Sequence, residues 1–202
     1  MMRKLRSYLQ LKPWLVMFLV LTAMLVSGCE KEKPELPVLG EVTENFSFRN
    51  QDNQVVTAEI FKDKVFITDF FFTTCPTICP IMKRQMMRVY QAFENHPDVL
   101  LFSHTIDPEH DTVEVLGNFA DGLGIKTEKW QMVTGPQDDI FAMAKHYMLA
   151  AIKNDQVEGG YIHSGSFVLV DKDKKIRGYY NGTDPEEVDA LIADLKDFLG
   201  EK

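Results

Sequence analysis

The sequence predicts an α/β domain, and three observations carry that prediction. Segments with strand and helix periodicity alternate along the chain. An aromatic, β-branched run from Val65 to Thr73 leads directly into a cysteine pair and a helical apolar stripe, and the chain closes on a hairpin followed by a sharply capped helix. With 202 residues, 45% hydrophobic and 26% charged, the composition is that of an ordinary globular protein and excludes a disordered or disulfide-dense chain.

The N-terminus stands apart. Arg3, Lys4 and Arg6 precede an uncharged apolar stretch from Trp14 to Val26. A spanning helix needs about 20 apolar residues, so the stretch is short for an anchor and right for the hydrophobic part of a signal peptide. Val26, Ser27, Gly28 and Cys29 resemble a bacterial lipobox, which implies cleavage before Cys29 and its lipidation, the alternative being a short anchor helix with an incidental cysteine. The expected organisation is a signal peptide over 1–28, a lipidated Cys29 with a charged, proline-bearing flexible spacer over 29–42, and the folded domain over 43–202. It places the domain outside the cytoplasm, in a bacterial cell envelope, tethered to a membrane.

Residues 1–28 hold four basic groups, Arg3, Lys4, Arg6 and Lys12, and no acidic one, so their removal makes a chain of net charge −8 more acidic still. Nothing in it interleaves a basic patch with aromatics, and nucleic-acid binding is excluded. With Cys29 lipidated, Cys75 and Cys79 are the remaining cysteines.

Within the domain, NFSFRNQDNQVV alternates about the turn-forming Asn50–Asn53 and predicts an N-terminal β-hairpin extension. Val65–Thr73 is apolar on both faces apart from Asp69, the pattern of a central strand covered on both sides. Met82, Met86, Val89, Tyr90 and Phe93 recur at helical spacing; Val99–Ile106 reads as a strand, and a helix follows Asp111. Trp130–Val133 reads as a short strand, Gln137–Met148 as a helix, and SFVLVDKDKKIRGYY as two strands about Asp171–Lys174. The last helix lies between Thr183 and Gly200, with Asp184 as cap, Pro185 first, and Val188, Leu191, Ile192, Leu195 and Phe198 on one face.

Cys75 and Cys79 are each followed by proline. A helix running through both would set their Cα atoms about 6 Å apart, within disulfide range. Pro80 is most comfortable at a first helical position, so the helix can equally begin there, with both thiols in the turn before it. Either way the thiols sit at a helix N-terminus, where the backbone dipole favours thiolate. A structural staple, a redox couple and half of a metal site all remain open from this stretch alone.

Strand, cysteine pair and helix in that order resemble the thioredoxin fold, and Asp69, six residues before Cys75, matches the position of a buried acid that in thioredoxins helps move protons to and from the dithiol. HSGSFVLVDKDKKI resembles the loop and hairpin that in thioredoxins bring a cis-proline against the cysteines, but here His163 stands in that neighbourhood and no proline does. Two thiolates and an imidazole suit copper in either oxidation state and leave a position open for transfer. A structural zinc site wants four protein ligands, and no third cysteine is free.

TTCPTICP, TIDPEHDT, YIHSGSFVLVD and GYYNGTDPEEVDALI, in this order, resemble the Sco/SenC family of membrane-tethered copper proteins that assist assembly of cytochrome c oxidase, over about Phe46 to Leu199. The resemblance implies a thioredoxin-like fold and copper ligands Cys75, Cys79 and His163. It implies that Asp107 and Asp111 orient a ligand or tune the charge around it, against the plainer reading of cap and turn formers. Thr77 and Ile162 stand where many members carry acidic residues. His96, His104, His110 and His146 read as structural or solvated, and Met82, Met86 and Met87 as core-facing.

Two functions follow, beside the plainer one of a tethered scaffold whose Cys75–Cys79 disulfide is merely structural. In one, the chain binds a single copper ion, Cu(I) or Cu(II), and passes it to the copper-bearing subunit of the oxidase, without turnover in the enzymatic sense. In the other, Cys75 and Cys79 form a redox disulfide couple, with Asp69 relaying protons, and reduce the same oxidase cysteines. Other copper chaperones or thiol-disulfide proteins are further expected partners.

Overall fold

A computed structural model describes residues 36–42 and 45–200. The expected signal peptide, Cys29 and the spacer as far as Glu35 lie outside the described residues. Strand β1 (Gly40–Glu41) falls inside the stretch expected as spacer; it pairs with residues 175 and 176, so the fold begins before residue 43. Strands β2 (Ser47–Asn50) and β3 (Val55–Thr57) form the expected hairpin. Its turn is held by the Asn50 side chain, whose Oδ1 accepts from the amides of Asp52 (3.0 Å) and Gln54 (2.9 Å).

A 3₁₀ turn (Ala58–Phe61) leads to β4 (Val65–Phe71), then α1 (Cys79–Phe93), β5 (Val99–Thr105), α2 (Val113–Leu123), β6 (Trp130–Thr134) and α3 (Gln137–His146). Two short strands, β7 (Ala151–Lys153) and β8 (Tyr161–His163), precede β9 (Ser166–Val170), β10 (Lys175–Asn181) and α4 (Pro185–Phe198). Among the described residues the main sheet has eight strands in the order β1-β10-β9-β4-β5-β6-β2-β3. β4, β5 and β6 run parallel, and every neighbour outside that trio is antiparallel. The hairpin thus extends the sheet beyond β6 on one edge while β1 closes the other.

Parallel strands need cover on both faces, and β4 has it: all seven of its residues are buried. On one face Phe66 stacks on Phe61 at 3.9 Å and meets Tyr147, the residue after α3; on the other, Phe71 lies under the Lys83 ammonium of α1. Met82, Met86 and Val89 of α1 are fully buried, whereas Met87, expected with them, is half-buried at the helix edge. The terminal helix is capped as read: the Asp184 carboxylate accepts from the Glu186 amide at 2.9 Å, and Val188, Leu191 and Leu195 face inward.

Candidate metal centre

β4 delivers the chain to the thiols, and α1 begins on the second of them. Cys75 lies in the turn after β4, its amide donating to the Phe72 carbonyl at 3.3 Å, while Cys79 is the first residue of α1, with Pro80 in the first turn. Pro80 has no amide hydrogen to leave unpaired there, which is why the helix starts where it does. The loop between is pinned by Asp111. This fully buried carboxylate accepts from the Thr73 amide at 3.0 Å and from the hydroxyls of Thr73 and Thr105, tying the end of β4 to β5.

His163 arrives from the other side. It ends β8, which pairs with β7 in a two-stranded sheet absent from the sequence reading. The turn between these strands lies on the cysteine loop. Gly159, at φ +84°, comes so close that a Cβ there would meet Phe72 and Pro76 at 3.1–3.2 Å. Tyr161 packs on Phe72 with ring centroids 5.4 Å apart and donates its hydroxyl to Asp107 at 3.0 Å. Asp107 therefore holds the strand that carries His163.

The result is one sulfur-sulfur-nitrogen cluster. Ligand atoms of Cys75, Cys79 and His163 all lie within 4.8 Å of one another, with Cys79 Sγ 3.3 Å from His163 Nε2. Three ligands of a single ion keep roughly 3.5–4 Å between them, given metal–ligand bonds of about 2.0–2.3 Å, so little rearrangement separates this cluster from a binding geometry. His163 Nδ1 lies 3.0 Å from the Ser164 carbonyl. A carbonyl only accepts, so Nδ1 carries the proton and Nε2 is left with its lone pair toward Cys79.

Electrostatics divide the two thiols. Burial pushes the Cys75 thiol up, but hydrogen bonds from the backbones and side chains of Cys79 and Thr77 outweigh it and bring Cys75 below the ordinary thiol value. Cys79 goes the other way: burial, then the neighbouring Cys75, raise it well above that value against smaller opposing effects from the Phe72 backbone and Lys83. Burial also lowers His163, which keeps the imidazole neutral and able to ligate. Cys79 is thus a thiol whose proton points at Nε2.

Asp69, Asp107 and Asp111 each bond beside the cluster rather than to a ligand atom. Asp69 is buried as expected, but it is occupied: Lys83 Nζ lies 3.0 Å from its Oδ2, and the Ser103 hydroxyl donates to its other oxygen. Lys83, itself buried, also donates to Ser103 at 3.2 Å and caps the Phe71 ring at 3.8 Å. Sequence reasoning missed Lys83. The signal was available, because an acid on an otherwise apolar strand needs a cation, and Lys83 lies one turn into the next helix. His104 is a buried core residue, His110 is exposed, and neither they nor His96 and His146 join the cluster.

Residues 36–200 match the SCO1/SenC family model. The chain belongs to the SCO1/SenC family. It is 34% identical over 175 residues to an SCO1 protein homolog from Bacillus subtilis, covering 86% of this chain and 90% of the relative. A crystal structure of a SCO1/SenC family lipoprotein from Bacillus anthracis superposes with a TM-score of 0.71 at 32% identity, covering 79% of this chain and 95% of that one. BsSco, a member of the Sco family of cytochrome c oxidase assembly proteins in which a disulfide switch has been identified, gives 0.69 at 34% identity over 81% of this chain and 96% of that one. The thioredoxin-like architecture expected from the sequence is that of these neighbours. Among the described residues no helix is long and apolar enough to cross a membrane.

Proposed function

We propose that this chain is a membrane-tethered copper carrier: Cys75, Cys79 and His163 hold one copper ion and pass it to the binuclear copper centre of a cytochrome c oxidase subunit. The observation that carries the reading is the donor set, two sulfurs and one imidazole nitrogen within 4.8 Å, with the His163 tautomer leaving Nε2 to ligate. Family membership and the lipoprotein relative support the rest: a signal peptide over 1–28, a lipid on Cys29, a spacer, and a domain held outside the cytoplasm. Asp107 and Asp111 act by fixing the strand and the loop that present the ligands.

A second reading, preparation of the oxidase cysteines by thiol-disulfide exchange, is favoured by the unequal thiols. Cys75, with its lowered value, is suited to attack, and Cys79, protonated and shielded, to resolve. The two uses are compatible because metal binding demands the same reduced sulfurs. Copper titration of the reduced protein decides the first reading. One ion per chain is expected, with affinity falling more than ~100-fold in His163→Ala, beyond what loss of a supporting residue costs; uptake independent of His163 would refute it.

A further inference from the structure

The two sides of the thiol site differ in chemistry. From Cys75 and Cys79 a groove of about 480 Å³ runs between α1 and α2, floored by Met87, Phe119 and Leu123. Lys83, Arg84 and Arg88 line it, and no acidic residue does, in a chain with 30 acidic and 22 basic residues. Lys83 is matched by Asp69 and Arg88 by Asp189, but Arg84 is exposed and has no ion-pair partner among the described residues. The opposite cleft, of about 270 Å³, holds His163, Ile162 and Glu158 and no lysine or arginine. Of the three donors only Cys75 lines both.

A cation is poorly served by an approach lined with cations, whereas a carboxylate is well served by it. The apolar floor beyond the thiols offers room for a side chain next to the reacting cysteine, which a lone thiol would leave unfilled. The geometry points to the α1–α2 groove as the docking surface for a cysteine-bearing segment of a protein partner, its apolar residue on Met87, Phe119 and Leu123 and its carboxylate on Arg84. This rests on the reading that the dithiol acts on a partner's cysteines, and it names the sequence chemistry of that partner.

The test uses the full chain, reduced and held in detergent, with short peptides whose single cysteine is disulfide-bonded to thionitrobenzoate. Cys75 thiolate attacks the peptide sulfur, the peptide–thionitrobenzoate bond breaks, and thionitrobenzoate leaves with the electron pair as a coloured thiolate. Cys79 then loses its proton to solvent and attacks Cys75 Sγ, and the peptide departs as a thiolate that takes up a proton. The chain ends as the Cys75–Cys79 disulfide, having passed two electrons to the probe. A peptide with leucine and glutamate beside its cysteine is expected to react about fivefold faster than one with leucine and lysine, the size of one exposed ion pair. That preference should shrink with salt and vanish or invert in Arg84→Glu. Leu123→Ser should erase a preference for leucine over serine in the same peptide. Copper uptake by Arg84→Glu should match that of the parent chain.

Equal rates for acidic and basic peptides, a ratio unmoved by Arg84→Glu, the free amino acid cysteine bonded to thionitrobenzoate reacting as fast as the peptide, or a dithiol inert to every probe would each overturn the docking surface. Failure of the parent chain to take up copper would refute the carrier reading while leaving these peptide preferences as the separate measure of the groove.

Discussion

Lowering the pH should unfold this protein through a histidine that takes no part in the site. His104 is fully buried on β5, its ring stacked on Phe70 at 4.6 Å and edge-on to Phe102 at 4.8 Å. Nδ1 lies 3.2 Å from the Thr68 hydroxyl, and Nε2 has no hydrogen-bond partner among the described residues. Burial disfavours the imidazolium and lowers the group from 6.5 to about 4, with Asp69 opposing weakly. A histidine held neutral by the fold binds its proton more readily when unfolded. Its contribution is therefore complete above pH 6.5 and is lost as the pH falls from there toward 4. A difference of about two and a half units amounts to roughly 3 kcal/mol, a large share of the 5–15 kcal/mol typical of a domain. Urea unfolding from pH 7.5 to 4 would measure it against His104→Phe, which keeps an aromatic ring in the same aromatic cluster and cannot titrate. The parent should lose about 3 kcal/mol more than the variant over that range; parallel curves would refute the reasoning.

Lys83→Met strands the buried Asp69 carboxylate and should cost about 3–5 kcal/mol in denaturant unfolding, while Lys83→Met with Asp69→Leu should recover most of it. Thr77→Asp brings a carboxylate toward the Cys75 sulfur, now 3.7 Å from the Thr77 hydroxyl, and should raise the Cys75 thiol, read as a shift of the alkylation profile to higher pH. Asp111→Ala removes the acceptor of three bonds that pin the cysteine loop and should weaken copper binding about 10–100-fold in a competition titration, with all three ligands intact.

What the sequence disclosed followed the strength of its local signals. Val65–Phe71 is legible because seven successive buried positions admit no polar residue without a partner, and α4 because cap, proline and stripe agree. The candidate ligand triad was reached through motif resemblance, since no local rule joins His163 to cysteines more than eighty positions earlier. β7 and β8 escaped because three residues each are too few to show a period, and their pairing is set by a turn on Gly159 and Gly160, both at positive φ. The strand β1 escaped for a related reason: a two-residue strand beside a charged, proline-bearing stretch has the composition of a linker. Lys83 was hidden by its type, because lysine is read as exposed unless a buried acid is first seen to require it.

The hydrogen bond between Cys79 and His163 has a consequence for how a metal enters. In the free protein the Cys79 proton lies between Sγ and Nε2, 3.3 Å apart, and that shared proton holds both donors in place. An incoming ion must take the position of this proton, and burial raises the Cys79 thiol, so the proton is held firmly at neutral pH. Binding therefore releases it, and apparent affinity must rise with pH throughout the range in which Cys79 remains a thiol. The Cys75 thiol, lowered and lining both clefts, gives up its proton more readily than Cys79 and is the natural first contact for either a metal or a partner sulfur. The two thiols thus differ in how readily they release a proton, Cys75 ahead of Cys79, whose proton is also tied to the His163 contact.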